Sequence, residues 1–355
     1  MIKHFNQISI KVEASILDAL KQMDRISRKL LLVIDNKNFV GILSIGDIHR
    51  AIIKNHNLET PVKDILQTEG RVVARVNDPI EQTKKIMLYH RTEFMPVLDE
   101  NDTLVDIYFW EDLFVDEALD EAPQFDLPVV VMAGGFGKRL RPLTNIIPKP
   151  LIPLTDKSIL EEIFDRFVKH GSKRFYLSVN YKADLIRFFI ESLRLEYDIS
   201  FIEEDQPFGT AGSLSLLKGK INETFFVTNC DILINQDYSE ILDFHKENQN
   251  EITIVSAVKN LPISYGLLET GDNGHLDKLV EKQDITIKIN SGMYILEPHL
   301  IDEIPVDTHY NLTDLILDVK NKSRKIGVFP VWHSSWIDIG DWSEYLLNLK
   351  RINNS

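Results

Sequence analysis

The sequence predicts an α/β protein of two domains, a small repeated module followed by a larger mixed and mostly parallel sheet. Three observations predict it. The first part of the chain repeats itself, over about residues 7–55 and 61–117. A short apolar, β-branched run, Val129-Val130-Val131-Met132, leads straight into a glycine turn, Gly134-Gly135-Phe136-Gly137. Beyond it, strand-like and helix-like patterns alternate, which implies a parallel sheet.

A chain of 355 residues with 44% hydrophobic content has room for two cores. The formal net charge of −14 argues against a nucleic-acid partner, which would require a basic face. It leaves a phosphorylated substrate open, because a few local arginines and lysines suffice. The single cysteine, Cys230, excludes an internal disulfide and a cysteine-rich metal site. No stretch has the length of a membrane span and no long apolar signal core is present, so a cytoplasmic location is the expectation.

In the repeat, Ile16, Met23, Val33 and Asp35 match Ile80, Met87, Val97 and Asp99 at constant offset. One inserted residue later, Gly41, Ser44 and Asp47 align with Asp106, Phe109 and Asp112. Each copy reads helix, strand, strand, helix. Copy one has an amphipathic helix from Ile16 to Met23, strands Leu30–Ile34 and Phe39–Leu43, and a helix beginning near Ser44. Copy two has a helix after Asp78-Pro79 and strands Phe94–Leu98 and Leu104–Phe109. The acidic run at residues 111–126 reads as the end of a helix and a linker, placed at 118–127, ahead of a domain over 128–355.

A strand entering a glycine loop exposes backbone N–H groups that nothing at Cβ obstructs, and phosphate suits that geometry. Arg139 adds a planar, permanently charged fork and Lys149 a point charge. Leu140 stands where a dinucleotide fingerprint needs its third glycine, and the Gly-Lys-Ser/Thr end of a P-loop is missing. The loop is therefore a candidate nucleoside triphosphate site of another kind. Downstream, Ile159–His170 has helical spacing and closes at Gly171. Arg174–Val179 reads as a strand ending in Asn180, and Phe225–Thr228 as a strand delivering Asn229-Cys230-Asp231. Ligands of open α/β sheets lie at such C-terminal strand ends.

Gly-Gly-x-Gly-x-Arg-Leu-x-Pro-Leu-Thr over 134–144, followed by Pro148-Lys149-Pro150, resembles the signature of sugar-1-phosphate nucleotidyltransferases, and matches recur in order from about Leu127 to Tyr345. The resemblance implies a Rossmann-like, GT-A-like catalytic domain. It implies nucleotide contacts at Ala133, Gly134, Gly135, Gly137, Asn180, Gly209, Thr210, Ala211 and Gly212, the last four in the segment Pro-Phe-Gly-Thr-Ala-Gly. It implies sugar contacts at Tyr265, Gly266, Glu281, Asn290 and Gly292, and a phosphate contact at Lys282, where Gln283 replaces the family's proline. Asp231 and Asp338 would bind Mg²⁺; Cys230 stands in place of the family's glycine and reads as a packed neutral residue.

The N-terminal repeat resembles a tandem pair of CBS domains (a Bateman module). Copy one keeps the family's Gly-x-x-Ser-x-x-Asp as Gly41, Ser44 and Asp47; copy two has Asp106 and Phe109 instead. At most one adenine-nucleotide site is implied, at Ser44 and Asp47; the other reading is that Ser44 only caps a helix and the pair only dimerises. A homo-oligomer is expected.

The implied reaction is attack of a sugar-1-phosphate oxygen on the α-phosphorus of a nucleoside triphosphate, with pyrophosphate leaving. Arg139 would meet the leaving pyrophosphate, Lys149 and Lys282 the phosphates. The combination of a CBS pair with this transferase is similar to glucosamine-1-phosphate guanylyltransferases of legionaminic acid biosynthesis, which points to GTP and glucosamine-1-phosphate. Mannose-1-phosphate and heptose-1-phosphate guanylyltransferases, and uridylyl or thymidylyl enzymes, share the motifs. A non-catalytic nucleotide sensor would show damage at Arg139, Lys149, Asp231 or Asp338, and all four are present.

Overall fold

Helix starts are written plainly into this chain. Ser15 with Asp18, Ser44 with Asp47 and Ser158 with Glu161 each form a reciprocal capping box ahead of an amphipathic helix: Ile16–Ile26, Ile45–Ile53 and Ile159–Val168. The computed structural model describes residues 5–36, 38–67, 72–90, 92–114, 123–204, 206, 208–281 and 284–352. The chain divides into two compact units, Met1–Asp120 and Glu121–Ser355.

The first unit holds two copies of one topology. In copy one, β1 (Ser9–Lys11) runs parallel to β2 (Leu30–Asp35), which pairs antiparallel with β3 (Asn38–Ser44). In copy two, β4 (Ala74–Arg75), β5 (Phe94–Leu98) and β6 (Leu104–Phe109) repeat that arrangement. Val33 faces Gly41 and Val97 faces Asp106, and each ladder shifts register at the next residue. The repeat thus extends to its β-bulge, and the inserted residue falls in the second hairpin turn, where Asp99 N–H donates to the Thr103 carbonyl at 3.0 Å. Ile8, Leu32 and Phe39 of copy one share a core with Phe94, Leu98, Ile107 and Phe109 of copy two.

The second unit is a seven-stranded sheet. Its strands are β7 (Val129–Met132), β8 (Arg174–Val179), β9 (Asp198–Glu203), β10 (Phe225–Asn229), β12 (Ile252–Pro262), β15 (Asp284–Leu296) and β16 (Ile326–Trp332). Short β11 (Ile232–Ile234) pairs with β17 (Trp336–Asp338), and β13 (Leu267–Thr270) with β14 (Leu276–Val280). The sheet order is β16-β12-β15-β10-β7-β8-β9, and only β15 runs against its neighbours. Val129 and Val131 point into one hydrophobic layer and Val130 into the other, all with no exposed surface. Burial on both faces explains why β7 is continuously apolar and not alternating. At roughly 1.5–3 kcal/mol per buried aliphatic side chain, such a strand is a firm base for the loop that follows.

From β7 the chain adds β8 and β9 on one side, then returns to place β10 on the other. The reversal between β7 and β10 leaves a crevice at their C-terminal ends, and both key loops leave from there. Residues 118–122 of the expected linker lie outside the described residues. Residues 123–127 are described, and Phe125 there stacks between His170 and Phe226 with its N–H on the His170 carbonyl at 2.7 Å. Among the described residues, no helix is long and apolar enough to cross a membrane.

Candidate active site

The glycine loop is shaped by its own continuation. Gly137 has φ +60, and a methyl group on it would lie 2.7 Å from Thr144 Cγ2. Thr144 Oγ1 donates to the Gly137 carbonyl at 2.9 Å, and Leu140 is fully buried. The spacing of the Gly-x-Arg-Leu-x-Pro-Leu-Thr segment is therefore that of a loop folded back on its own glycine. A cavity of about 270 Å³ opens here, lined by Phe136, Gly137, Lys138, Arg139, Lys149 and Gly340.

Lys149 is 8% exposed, and its ammonium donates to Asp231 Oδ2 in a short ion pair. Asp338 comes alongside through the β11–β17 ladder, in which Ile232 faces Asp338 and Ile339 N–H donates to the Asp231 carbonyl at 2.8 Å. Gly340 N–H donates to Asp338 Oδ1 at 2.7 Å. A methyl on Gly340 would lie 2.8 Å from Asp338 Oδ1, 2.9 Å from Arg139 Nη2 and 3.3 Å from Asp231 Oδ2. Arg139, Lys149, Asp231 and Asp338 thus converge around one glycine whose role the motif alone does not reveal. Burial pushes the Asp338 carboxyl up from its ordinary value and the Asp231 charge adds to this, against the Gly340 N–H, Lys149 and Arg139. Burial, aided by Asp231, pushes the Cys230 thiol up to about 12, so it packs as a neutral group.

The ends of β8 and β9 are tied together by Glu204. Its carboxylate accepts from Ser178 Oγ in a short bond and from Phe208 N–H at 3.1 Å, and its carbonyl accepts from Asn180 Nδ2 at 2.7 Å. A methyl on Gly134 would sit 3.3 Å from Asn180 Cβ and 3.4 Å from Glu204 Oε1, so the first glycine lets the loop pass this pair. Ala133 is buried, its N–H on the Ser178 carbonyl at 2.8 Å, whereas a methyl on Gly135 would meet nothing within 4 Å.

The small residues of the 209–212 segment have a partner within the protein. Ala211 and Gly212 N–H groups donate to the Tyr310 carbonyl at 3.0 and 2.8 Å, and Thr210 Oγ1 accepts from Leu312 N–H at 3.0 Å. Methyl groups on Gly209 and Gly212 would lie 2.8 Å from the Tyr310 carbonyl oxygen and 2.9 Å from that of Thr308. Packing against residues 308–312 accounts for these glycines whether or not a base lies beside them.

Of the expected sugar contacts, Gly292 lies against Asn229, at the end of the strand that leads to Asp231. It has φ +89, and a methyl there would lie 2.6 Å from Asn229 Nδ2, two residues before Asp231. Asn290 Oδ1 accepts from Gly292 N–H at 3.1 Å and its amide donates to Tyr294. Tyr265 is 80% exposed, and Gly266 lies against Leu279 and Glu281 at the β13–β14 hairpin, on the arm where β12 and β15 run past the sheet. Lys282 lies outside the described residues.

In the first unit, Ser44 Oγ accepts from Asp47 N–H at 3.1 Å, and Asp47 Oδ2 takes both the Ser44 N–H and hydroxyl, while Oδ1 pairs with Arg50. Ser15 and Asp18 make the same box in the same unit.

Comparisons with known proteins agree with this geometry. Residues 1–54 match the CBS domain family, and the two structural copies make the N-terminal unit a CBS pair. The chain is 36% identical over 247 residues to a mannose-1-phosphate guanylyltransferase catalytic subunit beta of Dictyostelium discoideum, covering 64% of this chain and 65% of that one. It is 32% identical over 231 residues to the Danio rerio protein of the same name, covering 63% of this chain and 64% of the relative. The match thus spans just under two thirds of these relatives' length. The crystal structure of HddC from Yersinia pseudotuberculosis, also solved with GMP-PN, is similar over 64% of this chain and 99% of its own, at 28% identity and a TM-score of 0.50. Residues 128–355 match the nucleotidyl transferase family, and with that span and this site the chain belongs to it.

Proposed function

We propose that this protein transfers a guanylyl group from GTP to a hexose-1-phosphate, releasing pyrophosphate. The observation that carries the reading is the convergence of Arg139, Lys149, Asp231 and Asp338 around Gly340, at the sheet's reversal point and beside the glycine loop. A sugar-1-phosphate oxygen is already anionic, so its bond to the α-phosphorus forms, and the bond to the pyrophosphate oxygen breaks, without a general base. The chain's task is to hold polyanions in line and neutralise them. Arg139 is assigned to the departing pyrophosphate and Lys149 to the phosphates, with Lys282 as a second phosphate contact.

The donor set fits a divalent cation. Two carboxylates offer hard oxygen ligands, and among the described residues no group of three or more His, Cys, Asp or Glu could hold a metal by itself. A site of two carboxylates completed by phosphate oxygens and water suits Mg²⁺. Bound between Asp231 and Asp338, Mg²⁺ would supply positive charge to the triphosphate.

The sequence resemblance ranks glucosamine-1-phosphate first. The relatives named above are mannose-1-phosphate guanylyltransferases, which favours mannose-1-phosphate as the acceptor. The test is pyrophosphate release over a grid of four nucleoside triphosphates against mannose-, heptose-, glucosamine- and glucose-1-phosphate. Turnover confined to GTP with mannose-1-phosphate is expected. Turnover with UTP or dTTP alone overturns the guanylyl assignment, and silence with nucleotide bound favours a sensor.

An adenine nucleotide at Ser44 and Asp47 is a separate proposal. It would have to share both side chains with the helix cap, and the identical box at Ser15 and Asp18 supports capping as their main work. Kinetics that respond to AMP or ATP in the wild type and not in Asp47→Ala would support a ligand there. A homo-oligomer built on the CBS pair is checked by sedimentation.

A further inference from the structure

The last described helix, Trp342–Ile352, begins two residues after Gly340 and presents three hydrogen-bond donors on one face, three residues apart each time. Trp342 Nε1 donates to the Arg141 carbonyl at 2.7 Å. Tyr345 OH donates to the Pro153 carbonyl at 2.8 Å. Asn348 Nδ2 donates to the Asp338 carbonyl at 2.8 Å. Tyr345 and Asn348 are 7% and 3% exposed, whereas Leu346 and Leu347 on other faces are 50% and 45% exposed. The inward face carries these donors together with apolar surface, for Tyr345 belongs to the main core and Trp342 and Leu349 pack against it, while Leu346 and Leu347 stay outside.

The three acceptors lie on different segments, and each segment carries a residue of the site. Arg141 follows Arg139 by two positions, Pro153 follows Lys149 by four, and Asp338 is itself one of the converging carboxylates. The helix is anchored at its start by Asp341, whose Oδ1 accepts from Ser343 N–H at 2.9 Å and Glu344 N–H at 3.1 Å. A helix anchored at Asp341 therefore holds three separate segments, one of them the end of β17, by their carbonyls.

We propose that Trp342, Tyr345 and Asn348 are positioning residues that set the spacing between the glycine loop and the Asp231–Asp338 carboxylates. None is placed against substrate; each acts through the backbone it holds. The inference rests on the nucleotidyl transfer reading for its kinetic consequences and on the geometry alone for its binding consequences.

The test uses the full chain with Trp342→Phe, Tyr345→Phe and Asn348→Leu, each of which removes the donor while keeping an aromatic ring or a side chain of similar size. Binding is read with Mn²⁺ by electron paramagnetic resonance and with GTP by titration calorimetry; turnover is read as pyrophosphate release. The position of each acceptor predicts a different parameter. Asn348→Leu weakens Mn²⁺ binding roughly three- to tenfold, the effect of one lost hydrogen bond, with GTP affinity measured without metal unchanged. Trp342→Phe weakens GTP by a similar factor and leaves Mn²⁺ affinity in the absence of nucleotide unchanged. Tyr345→Phe, which frees the Pro153 carbonyl four residues after Lys149, lowers kcat more than it raises KM. If all three variants lower the melting temperature while metal and nucleotide affinities stay at wild-type values, the helix is a structural brace only and the proposal is wrong. If wild type binds Mn²⁺ and GTP but releases no pyrophosphate with any sugar-1-phosphate, the reaction assignment falls, while the two binding readouts still decide the positioning role.

Discussion

The ammonium of Lys149 and Oδ2 of Asp231 are direct partners across 82 residues of chain, one from the proline-pinned end of the signature loop and the other from the end of β10. Their side chains are 9% and 15% exposed, so the pair is largely shielded from water. One lysine therefore ties the end of the signature loop to the carboxylate pair.

Lys149→Met tests that tie. Removing the cation leaves a largely buried carboxylate with its partner gone, at a cost on the order of 3 kcal/mol. Turnover is expected to fall about 100-fold or more, through the lost phosphate contact and the displaced Asp231. Pyrophosphate release and a urea unfolding curve measure the two effects; near wild-type turnover would remove Lys149 from the site.

Gly340→Ala places a methyl within 3.3 Å of Arg139, Asp231 and Asp338 at once. Gly340 is buried but lines the cavity, so the crowded side chains can give way toward it, at a cost of about 1–3 kcal/mol in stability. The three charged side chains must part, and kcat/KM should fall about 100-fold. Wild-type kinetics in this variant would mean that the four side chains do not need to converge for turnover.

Glu204→Ala removes the acceptor for Ser178 and for Phe208 N–H together. The segment that begins at Phe208 then loses its tie to the end of β8. The expected result is a roughly tenfold rise in KM for the nucleotide with KM for the sugar phosphate unchanged. Equal changes in both constants would argue against Glu204 as an organiser of the nucleotide side.

Much of the candidate site was legible in the sequence because it is made of local patterns. The β7 strand, the glycine loop and the strand ends carrying Asn180 and Asp231 follow from apolar runs stopped by glycine or polar residues. What was not legible depends on contacts far apart in sequence. Glu204 is visible in the sequence, but its partner Ser178, 26 residues earlier, meets it only in the folded sheet. Gly209 and Gly212 read as nucleotide contacts, whereas a methyl on Gly209 would meet the Tyr310 carbonyl and one on Gly212 would meet Phe208 Cβ and the Thr308 carbonyl. The Ser44–Asp47 pattern carries a different ambiguity: Ser15 and Asp18 have the same chemistry and spacing, so only the surroundings separate a ligand site from a helix cap.

His49 is expected to make the CBS unit less stable in acid. Burial, with Lys29 and Arg50 nearby, pushes its imidazole down to about 4. The unfolded chain takes up a proton near pH 6.5 while the folded chain does not, so stability is full above pH 6.5 and is lost as pH falls toward 4. The loss from this one group is about 3 kcal/mol at pH 4. His49→Leu should flatten the stability profile between pH 4 and 6.5, followed by urea unfolding monitored at a far-ultraviolet wavelength. An unchanged slope would mean that His49 accepts its proton in the folded state.

The most direct test of guanylyl transfer is phosphorus NMR of the purified protein with Mg²⁺, GTP and mannose-1-phosphate. The predicted spectrum gains the paired resonances of a nucleoside diphosphate ester and a pyrophosphate signal, in equal amounts, and Asp231→Asn and Asp338→Asn abolish both. Release of inorganic phosphate alone, or a spectrum that stays that of the two substrates for this and every other sugar-1-phosphate offered, would contradict the assignment.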